Sequence, residues 1–552
     1  MATDFMLGDD ACYAALKARD ARFDGNFLTG VSSTGIYCRP VCSVKTPRRE
    51  NCRFFRHAAQ AEQAGYRPCL RCRPELAPHS VAWSIQDASY ILAHQAARML
   101  DESEGWTNSV PSVDKLAEGL GISSRHLRRI FEAQFGVSPM QYLQTRRLHT
   151  AKQLLADTTL PITQVALMSG YASVRRFNAE FSSHYKLNPT QLRRKGMLPS
   201  TAAEGVAEQC IQVQLGYRPP YDVAAMHAFL RKHMIHTLEH TEAGPSGIVI
   251  SRTFGVASGG KLHSGWLQMR FDETRSQLVL TVGDSLRGVL PLVIRRVRAA
   301  FDLDADPVTI NSVLHASFPS GDGLRVPGAL DGYEIAVRAV LGQQITVAAA
   351  RTLAQRMVNK FGEPLQTPWP ALTRLFPKPA VLAAASGDAL GQLGIVKQRQ
   401  AAIVAIAQAV AEKRLQLHTG TDVAATIAQL KALPGVGDWT AQYIAMRALR
   451  WPDAFPSGDV ALHKALGVRG LRNPARLAEE ASATWKPWRS YAVIRVWSGA
   501  WAGPELTSAP AGASFAVKSI AINYHKQGAT ALKRSDKQPV QALKTVKRKI
   551  HS

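Results

Sequence analysis

The sequence predicts a multidomain chain in three parts: a small α+β unit that carries the cysteines, an all-α unit, and an α+β unit whose second half is mostly α. Three observations predict it. Six of the seven cysteines (Cys12, Cys38, Cys42, Cys52, Cys69 and Cys72) fall within the first 72 residues. Residues 80 to about 196 read as short amphipathic helices rich in arginine. From Ile211 onward, strand-like alternation (Ile248–Phe254, Trp266–Phe271, Gln277–Val282) gives way to an almost wholly helical stretch.

Composition narrows the function classes. The 552 residues hold 67 Lys+Arg against 42 Asp+Glu, a net charge of +25 on a chain that is 46% hydrophobic. Such an excess describes folded domains that meet a polyanion, and it excludes an acidic solvating protein and wholesale disorder. No run approaches the ~18 apolar residues of a membrane span; Ala401–Ala411 comes nearest and Lys413 and Arg414 close it. Met1–Asp10 has no basic stretch and carries Asp4, Asp9 and Asp10, so no secretory signal is expected. These features predict a cytoplasmic, monomeric chain with no membrane partner.

Composition shifts divide the chain. Residues 1–79 hold the cysteine cluster and end in the turn-like Arg73-Pro74-Glu75-Leu76-Ala77-Pro78, and residues 80–198 form the helical unit. Residues 199–210 lack a core-forming pattern and read as a linker. The α+β part spans 211–325 and the helical part 326–505. Residues 506–552 form a basic tail expected to be disordered, with nine Lys/Arg and one acid, Asp536, in 512–552.

In the first unit, Cys38-Arg-Pro-Val-Cys42 and Cys69-Leu-Arg-Cys72 are two close pairs separated by 26 residues. That spacing lets four thiolates reach the corners of one tetrahedron, which zinc favours. Buried reduced cysteines are the other reading, but they have no reason to pair at this spacing. Cys12 and Cys52 lack close partners and read as core residues. Four thiolates on Zn2+ leave a formal charge of −2 and stay nucleophilic, so the site can be reactive as well as structural. Arg39, Lys45, Arg48, Arg49, Arg53, Arg56, Arg67, Arg71 and Arg73 surround it with positive charge suited to a nucleic-acid backbone.

The run Thr34-Gly-Ile-Tyr-Cys-Arg-Pro-Val-Cys42, with Gly65-Tyr-Arg-Pro-Cys-Leu-Arg-Cys-Arg-Pro74, resembles the N-terminal domain of the Ada family of alkylation-response regulators. The resemblance covers most of residues 8–78. It implies zinc held by Cys38, Cys42, Cys69 and Cys72, with Cys38 taking a methyl group irreversibly from a DNA methylphosphotriester. Spacing alone does not single out Cys38. Thr34 and Arg67 are the candidate DNA contacts here.

In the second unit, Val113–Phe131 reads as helix, Gly turn, helix, with Leu116, Ala117, Leu120, Ile122, Leu127 and Ile130 as its buried stripe. A second copy follows over Ile162–Tyr171 and Ala172–Phe181. Residues 122–200 carry twelve Lys/Arg and three acids. A three-helix protein-docking module has the same pattern. The second copy, ending Phe181-Ser-Ser-His-Tyr-Lys-Leu-Asn-Pro189, resembles the AraC-type transcription activators, whose paired helix-turn-helices read two major-groove segments. By that likeness Ser124, Arg125, Arg128, Ser173, Arg175, Arg176 and Asn178 are the candidate contacts to double-stranded DNA. RNA polymerase is the expected partner of an activator.

In the third unit, Leu433-Pro-Gly-Val-Gly-Asp-Trp-Thr-Ala441 reads as a hairpin opening a helix. Its backbone N–H groups near Gly435 and Gly437 favour a phosphate without reading sequence. Asp459 follows Gly437 by 22 residues. A carboxylate there suits cleavage of an N-glycosidic bond, whose sugar becomes oxocarbenium-like; a helix N-cap is the other role open to it.

Residues 211–503 resemble the helix-hairpin-helix DNA glycosylases, specifically the AlkA-type 3-methyladenine DNA glycosylase II. The likeness runs from Tyr217-Arg-Pro-Pro-Tyr-Asp222 through Leu324-Arg-Val-Pro-Gly328 and Arg338-Ala-Val-Leu-Gly-Gln343 to Trp485-Lys-Pro-Trp-Arg-Ser-Tyr491. It implies Asp459 as the catalytic carboxylate and Phe229, Trp439, Tyr443 and Trp497 as the base pocket. Aromatic rings suit cationic N-alkylated purines through stacking and cation–π attraction. Trp485 and Trp488 read as core. Trp439 stands where lyase relatives carry lysine, so no strand-cleaving step is expected. No cysteine after Cys210 could hold an iron–sulfur cluster, and a second Ada methyltransferase motif is absent. The apolar wedge of the family is replaced here by Gln344 before Ile345, and either residue is a candidate for opening the duplex.

The expected fold class is therefore a small α+β zinc domain, an all-α tandem helix-turn-helix domain, and an α+β glycosylase with a mostly α helix-hairpin-helix core. The expected function combines methyl transfer from DNA methylphosphotriesters to Cys38, transcription activation, and DNA-3-methyladenine glycosylase II activity. The alternative is a regulator alone, with the glycosylase fold as a DNA clamp.

Overall fold

A computed structural model describes residues 9–19, 27–42, 44–69, 72, 74, 88–101, 112–158, 160–196, 210–244, 247–258, 261–419 and 421–500. Most of the linker reading (199–209) and the whole tail reading (506–552) lie outside the described residues. Cys210 opens a strand and pairs with Gly283.

The N-terminal unit is a four-stranded sheet: β1 (Leu28–Val31), β2 (Ile36–Cys38), β3 (Cys52–Phe55) and β4 (Arg67–Pro68), ordered β3-β1-β2-β4. β1 runs antiparallel to β2 and β3, and β2 parallel to β4. Leu28, Tyr37, Ala61 and Tyr66 form its small core. Cys12 and Cys52 are buried away from the four paired cysteines; Cys12 packs with Ala15 and Phe27.

Each predicted helix-turn-helix forms: Val113–Gly119 with Ser124–Phe135, then Ile162–Met168 with Val174–Tyr185. Ser123 and Ser173 cap the second helix of each pair, accepting from the amides of His126 and Arg176 at 3.2 Å. Each cap is worth about 1 kcal/mol. A nineteen-residue helix, Pro139–Asp157, joins the two pairs.

The C-terminal part opens with a five-stranded antiparallel sheet: β5 (Cys210–Gly216), β6 (Glu239–Gly244), β7 (Gly247–Ser258), β8 (Lys261–Asp272) and β9 (Gln277–Gly283), ordered β5-β9-β8-β7-β6. The three predicted strand runs lie inside β7, β8 and β9. β6 escapes a hydrophobicity reading because Glu239–Gly244 is a polar edge strand paired only to β7. Helices then enclose the largest core, in which Trp485 is buried and Trp488 half-buried. No helix among the described residues is long and apolar enough to cross a membrane.

The units share cores. Ala59 of the cysteine-bearing unit packs into the first helix-turn-helix. One continuous cluster joins Phe177, Phe181 and Tyr185 of the second helix-turn-helix to Ile211, Val213 and Leu280 of the five-stranded sheet. Thr158, which ends the joining helix, bridges to Val213 of β5, and Arg287 donates to Gln164 at 2.8 Å.

Candidate functional site

The first cluster is built by a strand end and two turns. β2 delivers Cys38 opposite Thr29, and a turn closed by Cys42 N–H to Arg39 O (3.1 Å) brings Cys42 back. The amide of Cys69 donates to Tyr37 O at 3.0 Å, so the second pair sits beside the first. The four sulfurs lie within 4.8 Å of one another. Hydrogen bonding to Cys42, Cys69 and Cys72, with burial added, pushes the Cys38 thiol well above the ordinary range. Four converging thiols cannot all ionise without a cation between them, so this donor set fits a thiophilic divalent ion. The cofactor is zinc.

Access differs among the four. Cys38 is only 5% exposed, while Cys72 is more open. Arg39, itself buried, donates from its backbone N–H to Cys72 Sγ (3.4 Å) and from its guanidinium to Cys72 O (3.2 Å). Thr34 is exposed in the β1–β2 turn, and Arg67 is half-buried in β4 opposite Ile36, so the two flank the β2 edge.

Sequence reasoning missed the contact between this unit and the joining helix. Buried Glu62 accepts from Tyr37 Oη at 2.8 Å, with His149 at 3.4 Å and His184 at 3.1 Å from the same carboxylate oxygen. Thr145 donates to its other oxygen. His149 and Lys152 lie three residues apart on one face of the joining helix, a signal visible in retrospect.

The helix-turn-helix candidates sit on two helix starts. Arg125, Arg128, Ser173, Arg175, Arg176 and Asn178 are exposed and Ser124 is half-buried. Three are engaged within the protein: Ser124 donates to Asp114, Ser173 serves as a cap, and Arg176 pairs with Glu180 at 2.8 Å.

The second cluster lies in the C-terminal part. Gly435 adopts a left-handed φ of 74°, where a Cβ would also press on Ala402 and the Gln398 carbonyl. Gly437 caps the helix Asp438–Arg447 without a side chain, leaving that end open to an anion. Gln343 ties this hairpin to the preceding loop, donating to Gly435 O (2.9 Å) and Thr440 Oγ1 (3.0 Å). Next to it, Gln344 is exposed with φ of 54°, whereas Ile345 packs against the core.

Asp459 caps the helix Val460–Ala465, its Oδ1 accepting from Leu462 N–H at 2.9 Å. Two indoles donate to the same carboxylate: Trp439 Nε1 to Oδ2 at 3.0 Å and Trp497 Nε1 to Oδ1 at 3.2 Å. The N-cap role and the indole contacts coexist in one side chain. Trp439 stacks on Tyr443 (centroids 5.2 Å apart, planes 15°), and Trp497 lies 6.2 Å from Tyr443. Phe229 joins from the helix Val223–His233, where His233 stacks on it at 4.3 Å. Burial, with Arg447 and Arg338 nearby, pushes the His233 pKa down to about 4 despite a hydrogen bond to Phe229 O.

Arg447 is the group sequence reasoning missed. Its guanidinium carbon lies 4.9 Å from the Phe229 ring centre and 5.4 Å from that of Tyr443. It follows Trp439 and Tyr443 at steps of eight and four, on one helical face.

Four families match this chain: the metal binding domain of Ada over residues 11–75, a helix-turn-helix domain over 116–195, the AlkA N-terminal domain over 212–331, and the HhH-GPD superfamily base excision DNA repair protein over 337–490. The chain is 36% identical over 495 residues to the "Probable bifunctional transcriptional activator/DNA repair enzyme AlkA" of Mycobacterium tuberculosis (strain ATCC 25618 / H37Rv), covering 89% of this chain and 96% of that protein. It is 32% identical to the DNA-3-methyladenine glycosylase 2 of Escherichia coli (strain K12), over 51% of this chain and 95% of that one. It is 30% identical to the bifunctional transcriptional activator/DNA repair enzyme Ada of the same organism, over 34% of this chain and 50% of that one.

Proposed function

The chain belongs to the family of bifunctional transcriptional activator/DNA repair enzymes in which an Ada-type unit is joined to an AlkA-type unit, and on that footing we propose that it senses and repairs alkylated DNA through two separate chemistries. The observation that carries the repair half is the Asp459 carboxylate held by two indoles beside a stacked aromatic pair. A negative charge fixed there stabilises the developing oxocarbenium sugar as the N-glycosidic bond breaks. Water then adds to the sugar carbon, and a free alkylated purine leaves behind an intact abasic strand. No lysine stands at Trp439, so a Schiff base has no nucleophile to form it. Gln344, the exposed residue of the Gln344–Ile345 pair, is read as the wedge that fills the emptied stack.

The sensing half uses the cysteine cluster. Cys38, Cys42, Cys69 and Cys72 would hold zinc, which would keep their sulfurs as thiolates at neutral pH. The Cys38 sulfur attacks the methyl carbon of a methylphosphotriester; the S–C bond forms, the C–O bond breaks, and the phosphate leaves as a diester anion. The site then carries one negative charge fewer beside DNA, so repulsion falls and promoter binding tightens. Arg125, Arg128, Arg175, Arg176 and Asn178 are read as groove or phosphate contacts, with Thr34 and Arg67 near the damaged phosphate. The paired helix-turn-helices supply two groove-reading helices in one chain, which supports a monomer that recruits RNA polymerase. Action on DNA supports the reading of a cytoplasmic location.

The deciding experiment measures release of 3-methyladenine from methylated duplex DNA beside transfer of methyl to protein from the same substrate. Both are expected. Methyl transfer without base release would reduce the C-terminal part to a DNA clamp; base release without methyl transfer would remove the sensor.

A further inference from the structure

Arg447 is buried, at 6% exposure, in the wall that Phe229 and Tyr443 share. Among the described residues no carboxylate pairs with it. Its hydrogen bonds all go to neutral oxygens: Nε to Pro327 O (2.8 Å), Nη1 to Tyr443 Oη (2.6 Å) and Nη2 to Gly328 O (3.4 Å). Of the carboxylates that line the same cavity, Glu334 and Glu239 each pair with Arg252 and Arg338, and Asp331 accepts from the Tyr333 amide at 2.9 Å. A positive charge without an ion-pair partner therefore stands beside two of the four rings.

We propose that Arg447 is a specificity-determining residue that restrains the preference of the base pocket for cationic over neutral bases. This inference rests on the reading of Phe229, Trp439, Tyr443 and Trp497 as the base pocket. At low effective dielectric, a like charge in the wall beside these rings repels a cationic purine directly. Asp459 pulls in the opposite direction. The balance of the two lets the pocket accept neutral damaged bases beside cationic ones, where bare aromatic walls would favour the cation strongly.

The test uses full-length protein with Arg447→Met and Arg447→Gln, which remove the charge, and Arg447→Lys, which keeps it. Thermal unfolding identifies the folded variants. Equilibrium dialysis compares the 7,9-dimethyladeninium cation, which has no ring N–H to lose, with neutral 9-methyladenine as probes. The cation-to-neutral affinity ratio is expected to rise about tenfold in the Met and Gln variants, a like-charge effect of ordinary size, and to stay near wild type in the Lys variant. A purely structural role for Arg447 would weaken both probes together and leave the ratio unmoved, which overturns the proposal. So does a ratio that shifts equally in all three variants, or failure of either base to bind any form. Release of cationic 7-methylguanine against neutral hypoxanthine from DNA is measured in parallel. A wild-type protein that releases neither, while the binding ratio shifts, sinks the glycosylase reading and leaves this inference standing. An active glycosylase with an unmoved ratio does the reverse.

Discussion

Lys152 donates its Nζ to the backbone carbonyl of Cys69 at 3.2 Å inside a buried contact. The lysine belongs to the helix Pro139–Asp157 and the carbonyl to a residue of the four-cysteine cluster. The same helix sends Thr145 and His149 to Glu62 and ends at the Thr158–Val213 bridge to β5. One helix thus touches both the cysteine-bearing unit and the glycosylase sheet.

The shared core predicts that the two halves hold together without a covalent link. A protease site inserted into residues 199–208 and cleaved should leave fragments that co-elute at micromolar concentration. The reason is that Phe177, Phe181, Ile211 and Val213 lie in one apolar cluster whose separation would expose all of them to water. Fragments that separate on size exclusion would refute the shared core.

Glu62 should give the molecule an acid-sensitive joint. Burial opposes its ionisation, but the close imidazoles of His149 (3.4 Å) and His184 (3.1 Å) overcome this and hold the carboxyl well below its ordinary 4.5. A depressed carboxyl contributes stability at neutral pH that is lost as pH falls below the unfolded-state value. Glu62→Gln should cost about 3 kcal/mol at pH 7, as expected for a broken buried charge cluster. The gap between wild type and variant should close progressively below pH 4.5 in denaturant titrations. A gap independent of pH would show that the charge of Glu62 does not matter.

The metal centre predicts one bound zinc per chain, lost in Cys69→Ala and Cys72→Ala because a tetrahedral site tolerates no missing corner. Mass spectrometry of protein exposed to methylphosphotriester DNA should find the methyl on Cys38. Since Cys72 is the more exposed residue, methyl on Cys72 instead would mean that exposure decides the acceptor.

Asp459→Asn should lower base release by about a thousandfold, while binding to an abasic-site analogue largely survives. The amide has one acceptor oxygen where three donors converge, namely two indole N–H groups and the Leu462 amide. Undiminished release would remove Asp459 from the chemistry. Borohydride trapping of a protein–DNA adduct would contradict the hydrolytic step.

Gln344→Ala should slow base release from duplex DNA several-fold more than from single-stranded DNA, because only the duplex leaves a gap in the stack to fill. Ile345→Ala, which empties a core contact, should instead lower thermal stability with little substrate dependence. Reversed behaviour of the two variants would make Ile345 the wedge.

Much of this was legible in the sequence where chemistry is local. Cys38 with Cys42 and Cys69 with Cys72 announce a metal because two close pairs let four thiolates reach one tetrahedron. Leu433–Gly437 announces a hairpin because Gly435 needs a left-handed backbone that other residues resist. The polar edge strand β6 was not legible, since Glu239–Gly244 alternates no hydrophobic side chains and has β7 as its one strand neighbour.

Charges that act across the fold were decided by tertiary structure. Glu62 with His149 and His184, Lys152 with Cys69, and Arg447 with Phe229 join residues 83 to 218 positions apart. No spacing rule covers such distances, because a buried charge takes whichever partner packing brings near. The sequence by itself determined which reactive groups this protein owns, through motifs whose geometry closes within a few residues. Which of those groups share a core, and which buried cation stands beside Phe229 and Tyr443, depended on how apolar faces far apart in the chain came together to exclude water.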